Sequence, residues 1–140
     1  MSRKSARTHA FKLIYQLEFS NGIDDLDQMF DLYSVRFKDL DEEELNIIRD
    51  EFYGLAENLS YVDEIIGDYS KWELSRLNKI DLALIRLAVY EMLYEKNKPA
   101  IVINEIVNLA SLYGSDSSTS FINGILAKIS SDIEKGVIYE

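Results

Sequence analysis

The chain of 140 residues carries 25 acidic against 15 basic side chains, for a formal net charge of −10, and it has one proline, six glycines and no cysteine. The lack of cysteine excludes disulfides, thiolate metal sites and cysteine nucleophiles. No apolar run is long enough to cross a bilayer, and the basic start is not followed by a signal-peptide core, so the expectation is one cytoplasmic domain spanning 1–140.

Within this acidic chain the first seventeen residues hold four cations, Arg3, Lys4, Arg7 and Lys12, and no acid precedes Glu18. Wound as a helix, Arg3, Lys4, Arg7, Phe11 and Tyr15 fall within a sector of roughly 120°. Ala6, Ala10, Leu13 and Leu17 form a separate apolar stripe suited to a core. Cations that pair with phosphate beside aromatics that stack on bases are the chemistry of single-stranded nucleic-acid recognition. The other reading of the same face is a solvated, solubilising terminus next to ordinary core aromatics.

Apolar residues recur at helical spacing almost throughout, which predicts an all-α domain. Ser20 to Asp24 reads as a turn, and Leu26, Phe30, Tyr33 and Phe37 give one face of a second helix. A long helical region from Glu42 to Tyr69 follows, with Gly54 and Ser60 as the points expected to bend or divide it. Trp72 to Tyr94 reads as a short turn and a heavily buried helix, and Pro99 opens a helix that runs to Tyr113 and ends at Gly114. After the polar stretch Ser115 to Ser120, the last helix is expected to span Phe121 to Glu134, with Phe121 at its opening turn.

Little in this pattern suggests catalysis. His9 is the only histidine and has no second histidine to form a metal pair or relay. The acids Asp41 to Glu44 read as a helix start rather than a cation site, because negative charge favours the positive end of the helix dipole. No phosphate-binding glycine loop, nucleophile elbow or zinc-binding histidine pair is found, so no enzyme, cofactor or metal is expected. Arg86 lies among apolar residues and calls for a charge partner, with Asp81, Glu91 and Glu105 as the acids available. Phe121 is open to two readings, a core side chain or a ring at a phosphate-attracting helix start, with Asn123 and Gly124 keeping that turn small.

Several segments in order resemble the NusB family of bacterial transcription antitermination factors: Arg3 to Arg7 followed by Leu13, Ile14 and Tyr15; Trp72 to Leu77; Asp81 to Leu93; Pro99 to Ala110; and Phe121-Ile122-Asn123-Gly124-Ile125-Leu126. The resemblance implies a seven-helix, all-α fold built from two small helical bundles and no catalytic activity. It implies a partnership with the ribosomal protein NusE and binding to the boxA element of nascent ribosomal RNA, within an antitermination complex on RNA polymerase. By position it implies RNA contacts at Arg3, Lys4, Arg7, Tyr15, Tyr69, Phe121 and Asn123, and a protein-partner surface around Glu73, Leu74, Leu77 and Asp81. The chain departs from the family in having only three cations in its first seven residues and Ser120 where a lysine is common, so modest RNA affinity without a partner is expected. A homodimer of the free protein stays open. The alternatives are a helical protein-binding scaffold without direct RNA recognition and an accessory to RNA modification, for which the chain has no catalytic domain.

Overall fold

The computed structural model describes residues 3–20 and 25–140, and the predicted turn at 20–24 lies mostly outside them. Among the described residues the elements are seven α-helices, α1 (Arg3–Leu17), α2 (Leu26–Arg36), α3 (Glu42–Glu57), α4 (Leu59–Tyr69), α5 (Lys79–Leu93), α6 (Pro99–Tyr113) and α7 (Ser118–Glu134), with a 3-10 turn at Leu74–Arg76 and no strand. The all-α, seven-helix expectation holds.

Local chemistry sets the helix ends. The Asp41 carboxylate accepts a hydrogen bond from the Glu44 amide at 2.8 Å, and Glu42 to Glu44 fill the first turn of α3, so the acid run is a helix start. The long predicted helix divides at Asn58, between the two residues expected to break it. Asn58 leaves helical geometry and its side-chain amide donates to the Gly54 carbonyl at 2.8 Å, the backbone competition that makes asparagine a poor interior residue. Gly54 itself stays helical and serves close packing, since a Cβ there would lie 1.9 Å from the Tyr90 hydroxyl oxygen.

Helix α5 is apolar nearly all round and is the element about which the others pack. It touches α1 and α3 on one hand and α4, α6 and α7 on the other, while α1, α2 and α3 contact one another and α6 packs on α7. The buried apolar side chains form one contiguous core. The Asn78 side chain caps α5 by accepting from the Ile80 and Asp81 amides. Helix α6 stops at Gly114, where a Cβ would sit 2.8 Å from the Ala110 carbonyl oxygen and 2.5 Å from the Ser118 hydroxyl.

Two expectations need correction. Helix α7 begins at Ser118, so Phe121 stands one turn inside it and its amide already donates to the Ser117 carbonyl at 3.2 Å, unavailable to phosphate. The Arg86 partners are Asp63 and Glu18, not Asp81, Glu91 or Glu105. Its Nε and Nη2 donate to Asp63 at 2.8 and 2.9 Å and its Nη1 donates to Glu18 at 2.5 Å, tying α5 to α4 and to the end of α1. Glu91 is taken by Arg7 and Asp81 by Ser118.

Arg86→Ala should lower the unfolding free energy by about 2 kcal/mol. That is below the 3–5 kcal/mol of a fully buried pair, because both carboxylates reach water once released. Urea denaturation checks it, and Arg86→Met, which fills the apolar site, should recover part of the loss.

Candidate RNA interface

Helix α1 does not separate into one exposed and one buried face. Arg7 and Phe11 are buried together with Ala6, Ala10, Leu13 and Ile14, because α3 and α5 pack along the helix and the Tyr113 ring of α6 covers Phe11 at 5.4 Å. Arg7 therefore turns inward. Its Nε and Nη2 donate to the two oxygens of Glu91, both at 2.7 Å, a bidentate pair across α1 and α5. Burial pulls the Arg7 pKa down, but the Glu91 hydrogen bonds and the charges of Glu91, Glu51 and Glu105 raise it further, so the guanidinium stays ionised.

Arg3 sits one turn earlier with its side chain 39% exposed, and its Nη2 donates to Glu95 at 2.7 Å and to Glu51 at 3.2 Å. Asn97 donates to Glu91 at 2.9 Å. Glu51, Glu91 and Glu95 each place an oxygen within 4.8 Å of the others. That spacing suits a cation, and the two guanidiniums already supply positive charge there. Three carboxylates against two cations leave one negative charge in excess. Burial, with the charges of Glu91 and Glu95, pushes the Glu51 carboxyl up to about 9, against the pull of Arg3, so it is a neutral acid at pH 7.

What α1 offers to solvent is narrower than its helical wheel suggested. Lys4 is exposed and lines a 410 Å³ cleft between α1 and α6 with Thr8, Glu105 and Asn108. Lys12 is half-buried with its ammonium 5.7 Å from the centre of the Tyr113 ring. Tyr15 is half-buried and meets the ring of Phe19 edge-on at 5.2 Å. His9 is held among the rings of Tyr33 and Phe37 and hydrogen-bonds the Tyr33 hydroxyl, and burial and Lys12 lower its pKa, a structural histidine.

Other helix ends meet this face. Tyr15, Ile80 at the start of α5 and Tyr113 at the end of α6 line one groove. Next to Ile80, the buried Asp81 carboxylate accepts from the Ser118 hydroxyl at 2.6 Å, and the same hydroxyl accepts from the Ser115 amide at 2.9 Å. The start of α7 is thereby fixed beside the start of α5. Phe121, one turn on, is half-buried against the core, and Asn123 is exposed. Tyr69 lies on α4 with its hydroxyl donating to Asp132 of α7, a bond that with burial and the Asp132 charge pushes its pKa to about 12.

Of the residues expected to meet a protein partner, Glu73 is exposed and Leu74 half-buried, while Leu77 belongs to the core. The Asp81 carboxylate faces Ser118 rather than solvent, because it stands in the first turn of α5 where the start of α7 packs against it. Sequence reasoning missed Glu51, Glu91 and Glu95 as countercharges for α1, and it missed Tyr113 as an accessible ring. Glu91, an acid amid an apolar helix, was the one available signal.

Fold and site together define an all-α domain with accessible cations and aromatic rings gathered at the meeting of α1, α5, α6 and α7. The sequence model of the NusB family matches residues 4–131, and the chain belongs to that family. It is similar to the transcription antitermination protein NusB of Acetivibrio thermocellus, 41% identical over 133 residues, covering 92% of this chain and 88% of that protein. It is also similar to that of Borreliella burgdorferi, 35% identical over 139 residues, with 94% and 95% covered. The structure of T. maritima NusB superposes with a TM-score of 0.83 at 31% identity and covers 99% of each chain. A chain in a crystal structure of antitermination factors NusB and NusE with double-stranded RNA shares the fold, with a TM-score of 0.83 at 23% identity, covering 92% of this chain and 96% of that one.

A carboxyl whose folded pKa lies above its ordinary 4.5 stabilises the fold fully below that value, and the contribution is lost as pH rises through about 9. In Glu51→Gln the group is neutral at every pH. The unfolding free energy of the wild type minus that of the variant should therefore fall steadily between about pH 5 and pH 9, measured by urea denaturation across that range. A flat difference would mean that Glu51 is ionised in the fold.

Proposed function

We propose that this protein is a cytoplasmic transcription antitermination factor that binds the boxA element of nascent ribosomal RNA together with the ribosomal protein NusE, and so acts within an antitermination complex on RNA polymerase. Family membership supports the role, and one observation carries the RNA reading. On a chain of net charge −10, Lys4 and Lys12 each share a cleft with the exposed ring of Tyr113, Lys12 lines the Tyr15 groove as well, and the α5 and α7 starts converge on the same place. Ammonium groups pair with phosphates there while rings stack on unpaired bases. Arg7 has a different part. Locked on Glu91, it holds α1 in place and exposes no donor face to RNA. Arg3 is half-exposed and can turn one donor outward. Phe121, Asn123 and Tyr69 extend the surface over α7 and α4, with Phe121 contributing the exposed edge of a ring otherwise packed on the core.

With so few accessible cations on this face, few counterions are released, so the isolated chain binds RNA weakly and the partner supplies further contacts. Glu73 and Leu74, accessible on the 3-10 turn, are the residues proposed to receive a basic ribosomal protein. No catalytic step is assigned to any residue.

Fluorescence anisotropy of labelled boxA RNA, titrated at two salt concentrations with and without NusE, tests the reading. NusE should raise RNA affinity, and RNA should raise NusE affinity by the same factor. Lys4→Ala should weaken RNA binding and reduce the salt slope by about one while stability stays within about 0.5 kcal/mol of wild type. Arg7→Ala should instead lose about 3 kcal/mol of stability, the low end for a broken buried pair, because the buried Glu91 keeps only Asn97 at 2.9 Å and Arg3 at 3.6 Å. No RNA binding by folded wild type in the presence of NusE would overturn the proposal.

A further inference from the structure

Below the residues assigned to RNA, a groove of about 820 Å³ runs between α1 and α2, and nothing in the proposed function uses its α2 wall. Its walls are aromatic. Tyr15, Phe19, Tyr33, Phe37 and Tyr113 line it, with Phe19 63% exposed and Tyr113 40% exposed. A cation stands on each side: Lys12 of α1 over the Tyr113 ring at 5.7 Å, and the exposed Arg36 of α2 over the Phe37 ring at 5.9 Å. The neutral amides of Gln16 and Gln28 also line it and offer both donors and acceptors.

We propose that this groove is a second RNA subsite, a stacking cleft for unpaired bases that flank the element bound along α1. The inference rests on the proposed RNA-binding function. Three observations select this occupant. The volume lies within the ~300–1,000 Å³ of clefts that enclose small planar ligands, enough for one or two bases. Among the described residues that line it, the charged side chains are Lys12 and Arg36 against Asp25, the reverse of the balance in the whole sequence, which has 25 acids to 15 bases. A polyanion is therefore drawn to this groove and repelled from most of the remaining surface. The groove is also continuous with the RNA face, since Tyr15 and Tyr113 belong to both. Rings along a backbone-tracking pair of cations are the arrangement that holds single strands with little sequence demand, and the two glutamines add the means to read a base edge.

A second copy of the chain fits this lining less well. A two-fold interface centred here would bring Lys12 and Arg36 near their own duplicates, with Asp25 the one acid among the described lining residues to offset them in each copy.

The test uses the full chain with NusE and two labelled RNAs, one limited to boxA and one extended on both sides by a few unpaired nucleotides. Wild type should bind the extended RNA at least about fivefold more tightly, the low end of one stacked base. Phe19→Ala combined with Arg36→Ala removes an exposed ring and an exposed cation, so the fold should persist, as circular dichroism and melting temperature verify. The double variant should lose the fivefold gain, bind the short RNA as wild type does, and show a salt slope for the extended RNA lower by about one. Equal affinity of wild type for both RNAs, or a gain that survives in the double variant, overturns the subsite. A shift from dimer to monomer in sedimentation with unchanged RNA binding would assign the groove to a second copy and also overturn it. If wild type binds neither RNA, the proposed function falls, and this inference with it.

Discussion

The buried contact of Arg7 with Glu91 fixes where α1 lies on α5, and the geometry of the candidate interface follows from that placement. A guanidinium drawn out of water needs a carboxylate in a geometry that satisfies its fork, and two 2.7 Å bonds supply it. The same contact imports a charge problem. Arg3, Glu51, Glu91 and Glu95 crowd the join of α1, α3 and α5, and a neutral Glu51 balances two cations against two carboxylates. Such a pair contributes less to net stability than to register: slipping α1 by one turn would take Arg7 away from the buried Glu91 carboxylate and break both 2.7 Å bonds.

A second polar link acts at the other end of α5. Asp81 and Ser118 hold the starts of α5 and α7 together, with Ser115 closing the turn that follows Gly114. The site is thus built on helix ends clamped by short hydrogen bonds rather than on long loops. Rigid placement of Tyr113 and Phe121 lowers the ordering cost of any contact their rings make. Arg86, clamped by Asp63 and Glu18, does the same for α4 and the end of α1.

The four cations near the amino terminus do different work from one another. Lys4 faces solvent, Lys12 lies over an aromatic ring and Arg7 is structural, while Arg3 divides between the acid cluster and water. An acidic protein with few accessible cations on its candidate RNA face gains specificity from where those cations sit, because a net negative surface repels a polyanion elsewhere. Salt dependence should then be shallow, and stacking should carry more of the affinity than charge does.

The sequence by itself determined the class of the fold and the order of its helices. Helical periodicity, Asp41 before three glutamates, Pro99 at a first turn and Gly114 past a last one are local signals, and each acts through nearby backbone in the folded chain. The family was also legible, because its motifs lie in fixed order along the chain. Tertiary structure alone decided which side chains of α1 are accessible. On a helical wheel Arg7 and Phe11 share a face with Lys4, but α1 packs against α3 and α5 and is covered by Tyr113, so a sector that an isolated helix would expose is buried. It also decided the partners of Arg86, which lie 23 and 68 residues away in the chain, and that of Asp81, 37 residues away. Spacing within one helix carries no information about a carboxylate or hydroxyl brought in by another. The aromatic groove between α1 and α2 was illegible for the same reason: its walls come from elements whose approach is set by the shared core and not by any local motif.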